Sequence, residues 1–384
     1  MIVRPRALVG AAALVSAAVL SVPAHATTPT ASYVVTTAPG SNARALVSAL
    51  GGKVGFVYSH ALNGFSVTLP VPALPALRLL PGVLAVQPDQ VLHADTTQTG
   101  PPSYGLDRID QRNLPLNNSY SYTANGAGVT AYVIDTGITY THTDFGTRAH
   151  KGYDAITPGG GAVDCNGHGT HVSGTIGGTR YGVAKAVNLV GVRVLDCNGS
   201  GSTSQVVAGI DWVTGNHTTA PAVANMSLGG SSDAAIDTAV KNAIADGITF
   251  AVAAGNNGGF LNDFLGSSNA CNGSPSRVPA ALTVAATDSS DARASYSSIG
   301  PCVDLWAPGT NITSDWMGSN TATNTISGTS MATPHVTGVA ALFLAGHTTA
   351  SPATVSSAIV GNATNGVVRS PGSNTVNKLL FEAW

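Results

Sequence analysis

A parallel β-sheet covered by helices on both faces is the fold class that this 384-residue sequence predicts. Three observations carry it. Apolar runs recur at 129–134, 188–195, 223–228, 248–253 and 282–286, as expected of strands buried on both sides. Helical patterns lie among them at 203–213 and 233–245, and follow at 333–344. Ahead of this large α/β unit, residues 32–93 carry short segments in the order β-α-β-β-α-β. That order predicts a separate small α+β unit of ferredoxin-like topology.

The elements follow in order. Arg4 and Arg6 give a basic start, residues 7–20 are apolar, and Ala24-His25-Ala26 forms an A-x-A cleavage site. The apolar run is shorter than the roughly 20 residues that span a bilayer. Residues 1–26 therefore read as a secretory signal peptide, which predicts export from the cell. In the small unit, 32–36 reads as a strand and 42–50 as a helix stopped by Gly51-Gly52. Strands at 53–61 and 64–69 flank a turn at Asn63-Gly64, and a helical piece at 72–80 precedes a last strand at 83–91. Nothing in this unit carries a catalytic pattern.

Composition narrows the function. Only 9% of residues are charged and the net charge is −2, whereas a soluble domain averages about 25% charged. A disordered chain and a nucleic-acid partner are both excluded by that balance. No run after residue 26 is apolar and long enough to span a membrane, so no membrane partner is expected, and a monomer is expected. The four cysteines allow three connectivities, and export favours disulfides. Their spacing suggests two sequential loops, Cys165 to Cys197 and Cys271 to Cys302, and no C-x-x-C pair favours zinc.

Open parallel sheets bind ligands beyond the carboxyl ends of their strands. Three segments there stand out. Ala131-Tyr132-Val133-Ile134-Asp135-Thr136-Gly137 ends an apolar strand in an acid, which is costly to bury without a partner. Asn166-Gly167-His168-Gly169-Thr170-His171 places histidines among small residues at a helix start. Gly328-Thr329-Ser330-Met331-Ala332-Thr333-Pro334-His335 puts a serine at a glycine-flanked helix entrance. Acyl transfer by serine needs an attacking hydroxyl, an imidazole base and a carboxylate that orients the imidazole. The chain order Asp135, His168, Ser330 is one of the known orders for such a triad, and the esterase elbow G-x-S-x-G is missing because Ala332 fills its last position.

From about Tyr104 to the C-terminus the chain resembles the subtilases, the subtilisin-like serine proteases, and within them the proteinase K and aqualysin branch. The resemblance rests on Gly105-Leu106-Asp107-Arg108-Ile109-Asp110, on the three segments above and on both cysteine pairs. The small unit resembles the family's inhibitor-like pro-segment. The resemblance implies three parts: a signal at 1–26, an inhibitor-like propeptide at 27–96 acting as intramolecular chaperone, and a catalytic domain at 97–384.

It also implies roles. Ser330 matches the nucleophile, His168 the general base, Asp135 its orienting acid and Asn256 the oxyanion-hole amide. His171 matches a structural histidine. Ser227, Leu228 and Gly229 match one wall of the specificity pocket, with Ala253, Ala254 and Gly255 as another. Gly199, Ser200 and Gly201 match the edge that pairs with an extended peptide, so protein and peptide substrates are expected, with the chain's own propeptide as transient inhibitor. No acid lies in the quoted pocket segments, which predicts broad cleavage after aromatic and aliphatic residues. Structural calcium is implied at Pro279, Ala281 and Asp304, and again at Asp107, Asp110 and Gln111, where hard oxygen donors suit it. A third family site is not expected, because its loop reads Thr157-Pro158-Gly159-Gly160-Gly161 and keeps only Asp154 and Asp164. The cysteine pairs Cys165–Cys197 and Cys271–Cys302 complete the set.

Overall fold

The structure is a computed structural model and describes residues 28–89, 96–218, 220–258 and 268–384. The predicted signal peptide lies outside them, as do His93 and Asp95 near the expected cut. The chain divides into two compact units, Met1–Leu92 and His93–Trp384.

The small unit contains β1 (Thr30–Thr37), α1 (Ala43–Leu46), β2 (Lys53–Tyr58), β3 (Gly64–Pro70), α2 (Leu74–Arg78) and β4 (Val83–Pro88). Its sheet has the order β2-β3-β1-β4, and β1 is antiparallel to both β3 and β4. This is the predicted β-α-β-β-α-β path. Alternation builds the core: Tyr33 and Val35 from β1 meet Phe65, Val67 and Leu69 from β3, with Val47 and Leu77 from the helical side. The helices are shorter than the sequence pattern predicts. The first turns into a tighter helix at Val47–Leu50, and the second is preceded by one at Val71–Ala73. Exposed on this unit are Phe56, Leu79 and Leu84.

The large unit is built on a nine-stranded sheet. Its first elements are β5 (Thr96–Thr99), α3 (Tyr104–Ile109) and β6 (Ser119–Tyr122), with β5 and β6 paired antiparallel. There follow β7 (Thr130–Asp135), β8 (Ala149–Asp154), α4 (His168–Gly177), β9 (Asn188–Arg193), α5 (Thr203–Asn216) and β10 (Ala222–Met226). Next come β11 (Gly230–Ser231), α6 (Ala234–Ala245), β12 (Thr249–Ala253), β13 (Gly273–Ser274), β14 (Leu282–Thr287) and β15 (Leu305–Pro308). The chain ends with β16 (Ile312–Asp315), β17 (Thr323–Ile326), α7 (Thr329–Gly346), α8 (Pro352–Asn362), β18 (Thr364–Asn365) and β19 (Lys378–Leu379). The main sheet runs β18-β19-β15-β14-β12-β10-β7-β9-β8.

The expected parallel sheet is present, with one amendment: β18 pairs antiparallel with β19 at one edge. Side chains of β7 alternate between two cores. Ala131 and Val133 join Val172, Ile176, Val336 and Val339, while Tyr132 and Ile134 join Ile210, Val213, Ile236 and Val240. Helices α4 and α7 therefore cover one face and α5 and α6 the other, a three-layer packing. Four strands of this sheet, β8, β15 and the two-residue β18 and β19, have no counterpart among the predicted runs. β8 is an edge strand reading Ala-His-Lys-Gly-Tyr-Asp, and β15 has only four residues. Helix α7 also begins earlier than predicted, at Thr329, with Pro334 inside it. Among the described residues, no helix is long and apolar enough to cross a membrane.

Candidate active site

Asp135 ends β7 and is fully buried. Its Oδ1 accepts the Thr136 amide at 2.8 Å and lies 2.7 Å from His168 Nδ1. An ionised carboxylate can only accept, so Nδ1 carries the proton and Nε2 keeps its lone pair. Burial lowers the His168 pKa, but the charge and hydrogen bond of Asp135, with a further contribution from Asp164, outweigh it and leave the pKa above the ordinary histidine value.

Helix α4 must approach β7 closely to make this contact. A Cβ on Gly169 would sit 2.2 Å from the Gly137 carbonyl oxygen, so only glycine fits there. Gly167 caps the helix with φ at 105°, and Trp316 packs where its side chain would be. Asp164 then fixes the entrance. Its Oδ1 accepts from Thr136 Oγ1 and from the amides of Asn166 and Gly167, each at 2.9 Å. Its Oδ2 accepts from the amide and hydroxyl of Thr170. Sequence reasoning did not assign Asp164 this role, although an acid just ahead of a helix start is a recognisable capping signal. Asp154 is used similarly: it accepts from the amides of Ile156, Thr157 and Ala162.

His171 lies one turn further and is buried. Its Nε2 donates to the Ile312 carbonyl at 2.9 Å, and burial pushes its pKa down to about 3. It is a neutral packing residue. His335 is similar: its Nδ1 donates to the Met331 carbonyl, and burial lowers its pKa to about 4.

Ser330 is in the first turn of α7, where amides have no helical acceptor. Its Oγ donates to the Ser227 carbonyl at 3.1 Å. No hydrogen bond joins it to His168, an arrangement common in free enzymes before substrate tightens the site. Asn256 follows β12. Its Oδ1 accepts from the Thr329 amide at 2.9 Å and the Thr329 hydroxyl at 3.0 Å. Those bonds fix which end of the amide is oxygen and leave Nδ2 facing Gly328.

Two connected hollows flank Ser330 and His168. One, of about 430 Å³, is lined by Leu228, Gly229, Ala253, Ala254, Gly255 and Ser330. Its far wall is Asn269 to Ser276, a stretch that sequence reasoning did not select. Among the described residues, no charged side chain lines it. The other, of about 650 Å³, runs past His168 between Gly199, Ser200 and Gly201 on one side and Ser227, Leu228 and Gly229 on the other. Thr203 Oγ1 donates to Asp233 Oδ2 at 2.6 Å beside it.

Cys165 is bonded to Cys197, and Cys271 to Cys302. The first bond joins the His168 loop to the groove edge. Arg193 Nη2 stands 3.0 Å from Cys165 Sγ. The second begins in the far wall of the smaller hollow.

The residues considered for calcium fall in two places. Asp304 is half-buried, and its Oδ2 accepts the Thr283 amide at 2.8 Å while its own amide donates to the Thr283 carbonyl at 2.9 Å. That exchange locks it to the segment carrying Pro279 and Ala281. Burial pushes its carboxyl pKa up to about 6. In the other place, Asp107 accepts from the amides of Asn117 and Asn118. Asp110 Oδ2 accepts from Ser121, its Oδ1 is buried without a partner, and burial raises its pKa to about 6 with help from the nearby Asp107. Gln111 Nε2 donates to the carbonyls of Asn113 and Pro115. Among the described residues, no three His, Cys, Asp or Glu side chains converge on one point.

A buried acid on a strand end, the histidine it orients and a serine at a helix entrance define a serine hydrolase acting on something laid along a groove. Comparison with known proteins makes this specific. Residues 126–379 match the Subtilase family and residues 27–95 match Peptidase inhibitor I9. The chain belongs to the subtilase family of serine proteases and carries an I9-type inhibitor propeptide. It is 58% identical over 331 residues to an extracellular serine proteinase of Thermus sp., covering 86% of this chain and 78% of that one. It is 51% identical over 335 residues to alkaline serine exoprotease A of Vibrio alginolyticus, covering 86% of this chain and 60% of that longer relative. A crystal structure of a cold-adapted subtilisin-like serine proteinase superposes with a TM-score of 0.69 at 52% identity, covering 73% of this chain and 98% of that one.

Proposed function

We propose that this protease is a secreted endopeptidase of broad specificity, made as a zymogen that cuts itself. The observation that carries the reading is the 2.7 Å contact between Asp135 and His168, at a groove that also holds Ser330 and Asn256. A peptide lies extended along Gly199–Gly201 and Ser227–Gly229, where backbone bonds supply affinity for many sequences. The Ser330 hydroxyl turns from Ser227 to His168 Nε2, gives up its proton and attacks the scissile carbonyl. The Asn256 Nδ2 and the Ser330 amide receive the oxyanion. His168 then protonates the departing amine, and a water repeats the sequence to release the acyl group. The hollow beside Ser330, with no charged side chain among its described lining residues, suits aromatic and aliphatic side chains.

Export begins with residues 1–26, and the propeptide, 27–96, assists folding and occupies the groove until it is degraded. The cut falls near residues 95–97, just before or within the strand Thr96–Thr99. The mature enzyme, 97–384, acts as a monomer on proteins. Calcium is structural. The donors that the family resemblance implies, the Asp304 carboxylate with the Pro279 and Ala281 carbonyls, would suit a hard cation, and a cation would offset the cost of burying Asp304. The orphaned Asp110 oxygen offers a second position.

The deciding experiment is Ser330→Ala expressed from the full-length gene. It should accumulate as uncut precursor and digest no casein. A variant that matures normally would refute self-processing.

A further inference from the structure

The seventh helix contains a gap that its own backbone cannot close. A helical carbonyl accepts from the amide four residues on, and for Ser330 that residue is Pro334, which has no N–H. Ser227 fills the gap: its hydroxyl donates to the Ser330 carbonyl at 2.7 Å. That hydroxyl is itself held. Asn225 Nδ2 donates to it at 2.9 Å, and Thr337 Oγ1 donates to Asn225 Oδ1 at 2.8 Å. Asn225 is fully buried as the next-to-last residue of β10, and both ends of its amide are committed to this chain of bonds. Ser227 is in contact with the Ser330 residue twice, because its carbonyl also accepts the Ser330 hydroxyl.

We propose that Asn225 is a positioning residue for Ser330, acting through Ser227 on the carbonyl that Pro334 leaves open. The inference rests on Ser330 being the nucleophile. The Ser330 carbonyl sets the rotation of the backbone that carries the attacking hydroxyl. Regular helix bonding would fix it from below. Here a side chain of the neighbouring strand fixes it from the side, tying the nucleophile to the segment that binds substrate. Networks of this kind are cooperative, so removing any link should loosen the same group.

The test compares Asn225→Ala, Ser227→Ala, their double variant and Ser227→Thr, which keeps a hydroxyl. Ser330→Ala is the control for the underlying reading. Each is assayed for kcat and KM on a chromogenic peptide and for Tm. Asn225→Ala and Ser227→Ala should each lower kcat about tenfold with KM nearly unchanged. The double variant should be no slower than the slower single, because both break one chain. Ser227→Thr should recover most of kcat. Should Asn225→Ala not fold, Thr337→Val removes the bond at the far end and should lower kcat with KM unchanged. A folded Asn225→Ala with normal kcat overturns the proposal, and so do losses that multiply in the double variant. Activity in Ser330→Ala would instead overturn the nucleophile assignment beneath it.

Discussion

Asp135 meets His168 with one carboxylate oxygen, while its other, Oδ2, is buried without a hydrogen-bond partner. The free oxygen has no competing donor to draw the carboxylate away from the ring. A neutral His168 is needed as base, and its pKa is raised above the ordinary value. Activity should therefore rise with pH, with its midpoint above the reference value of about 6.5, and hold at alkaline pH. Asp135→Asn should lower kcat by roughly 10⁴-fold, because the wrong tautomer is then held. A kcat/KM profile of both proteins checks this, and an acid optimum in the parent would contradict it.

Asn256 offers a cleaner separation of binding from chemistry. Its Oδ1 is occupied by Thr329, so its Nδ2 is free for the oxyanion. Asn256→Ala should reduce kcat by roughly 10²–10³-fold while KM changes little. Asn256→Asp should be no better, since a carboxylate cannot donate. Steady-state kinetics on one peptide decides it. An equal loss in KM would assign Asn256 to ground-state binding instead.

Asp315 makes a prediction about stability. It is fully buried on β16, and neither oxygen has a hydrogen-bond partner. Asp144 and His142 face it, with His142 Nδ1 3.4 Å away, and Arg148 lies in the same region. Burial first, then the charge of Asp144, pushes its carboxyl pKa from 3.8 up to about 9. The folded protein therefore keeps a proton that the unfolded chain has released between those values. This group's contribution to stability falls as pH rises through that window, by up to about 1.4 kcal/mol per unit. Asp315→Asn should raise Tm, and the gain should widen from acid to alkaline pH. Thermal melts across that range would show a constant gain if burial were not the cause.

Calcium should stabilise without changing the chemistry. A ligand at one hundred times its Kd adds about 2.7 kcal/mol to a fold that alone binds it. A chelator should lower Tm of the mature enzyme, and Asp304→Asn should remove part of that response. Because Asp304 lies apart from the Ser330 groove, kcat on a small peptide below the melting range should be preserved. Equal chelator sensitivity in parent and Asp304→Asn would place the metal elsewhere, with Asp110 as the next variant.

Much of this was legible in the chain because burial on both faces forces apolar runs. The strands at β7, β9, β10, β12 and β14 announced themselves in that way. The edge strand β8 did not, since one side has no neighbour and its residues are polar. The helical pattern of α7 runs only over 333–344 in the sequence, short of the helix's full length. The helix starts at Thr329, whose amide is taken by Asn256 Oδ1 from more than seventy positions away in sequence. Asp135, His168, Ser330 and Asn256 stand out because small and glycine residues surround them. Asp164, the wall from Asn269 to Ser276 and the Asp144–Asp315 pair do not, because each gains its meaning only when distant segments meet.

The small unit has a further consequence. Its single sheet is covered by helices of only four and five residues, and Phe56, Leu79 and Leu84 stand in solvent. A chain of about sixty residues buries only about 60% of the surface it exposes when unfolded, so such a unit has little stability in reserve. Under the self-processing proposed above, such a unit would act as a timer: once severed it would open often, each opening would expose it to the enzyme it restrains, and the thinness of its core would set how long the restraint lasts.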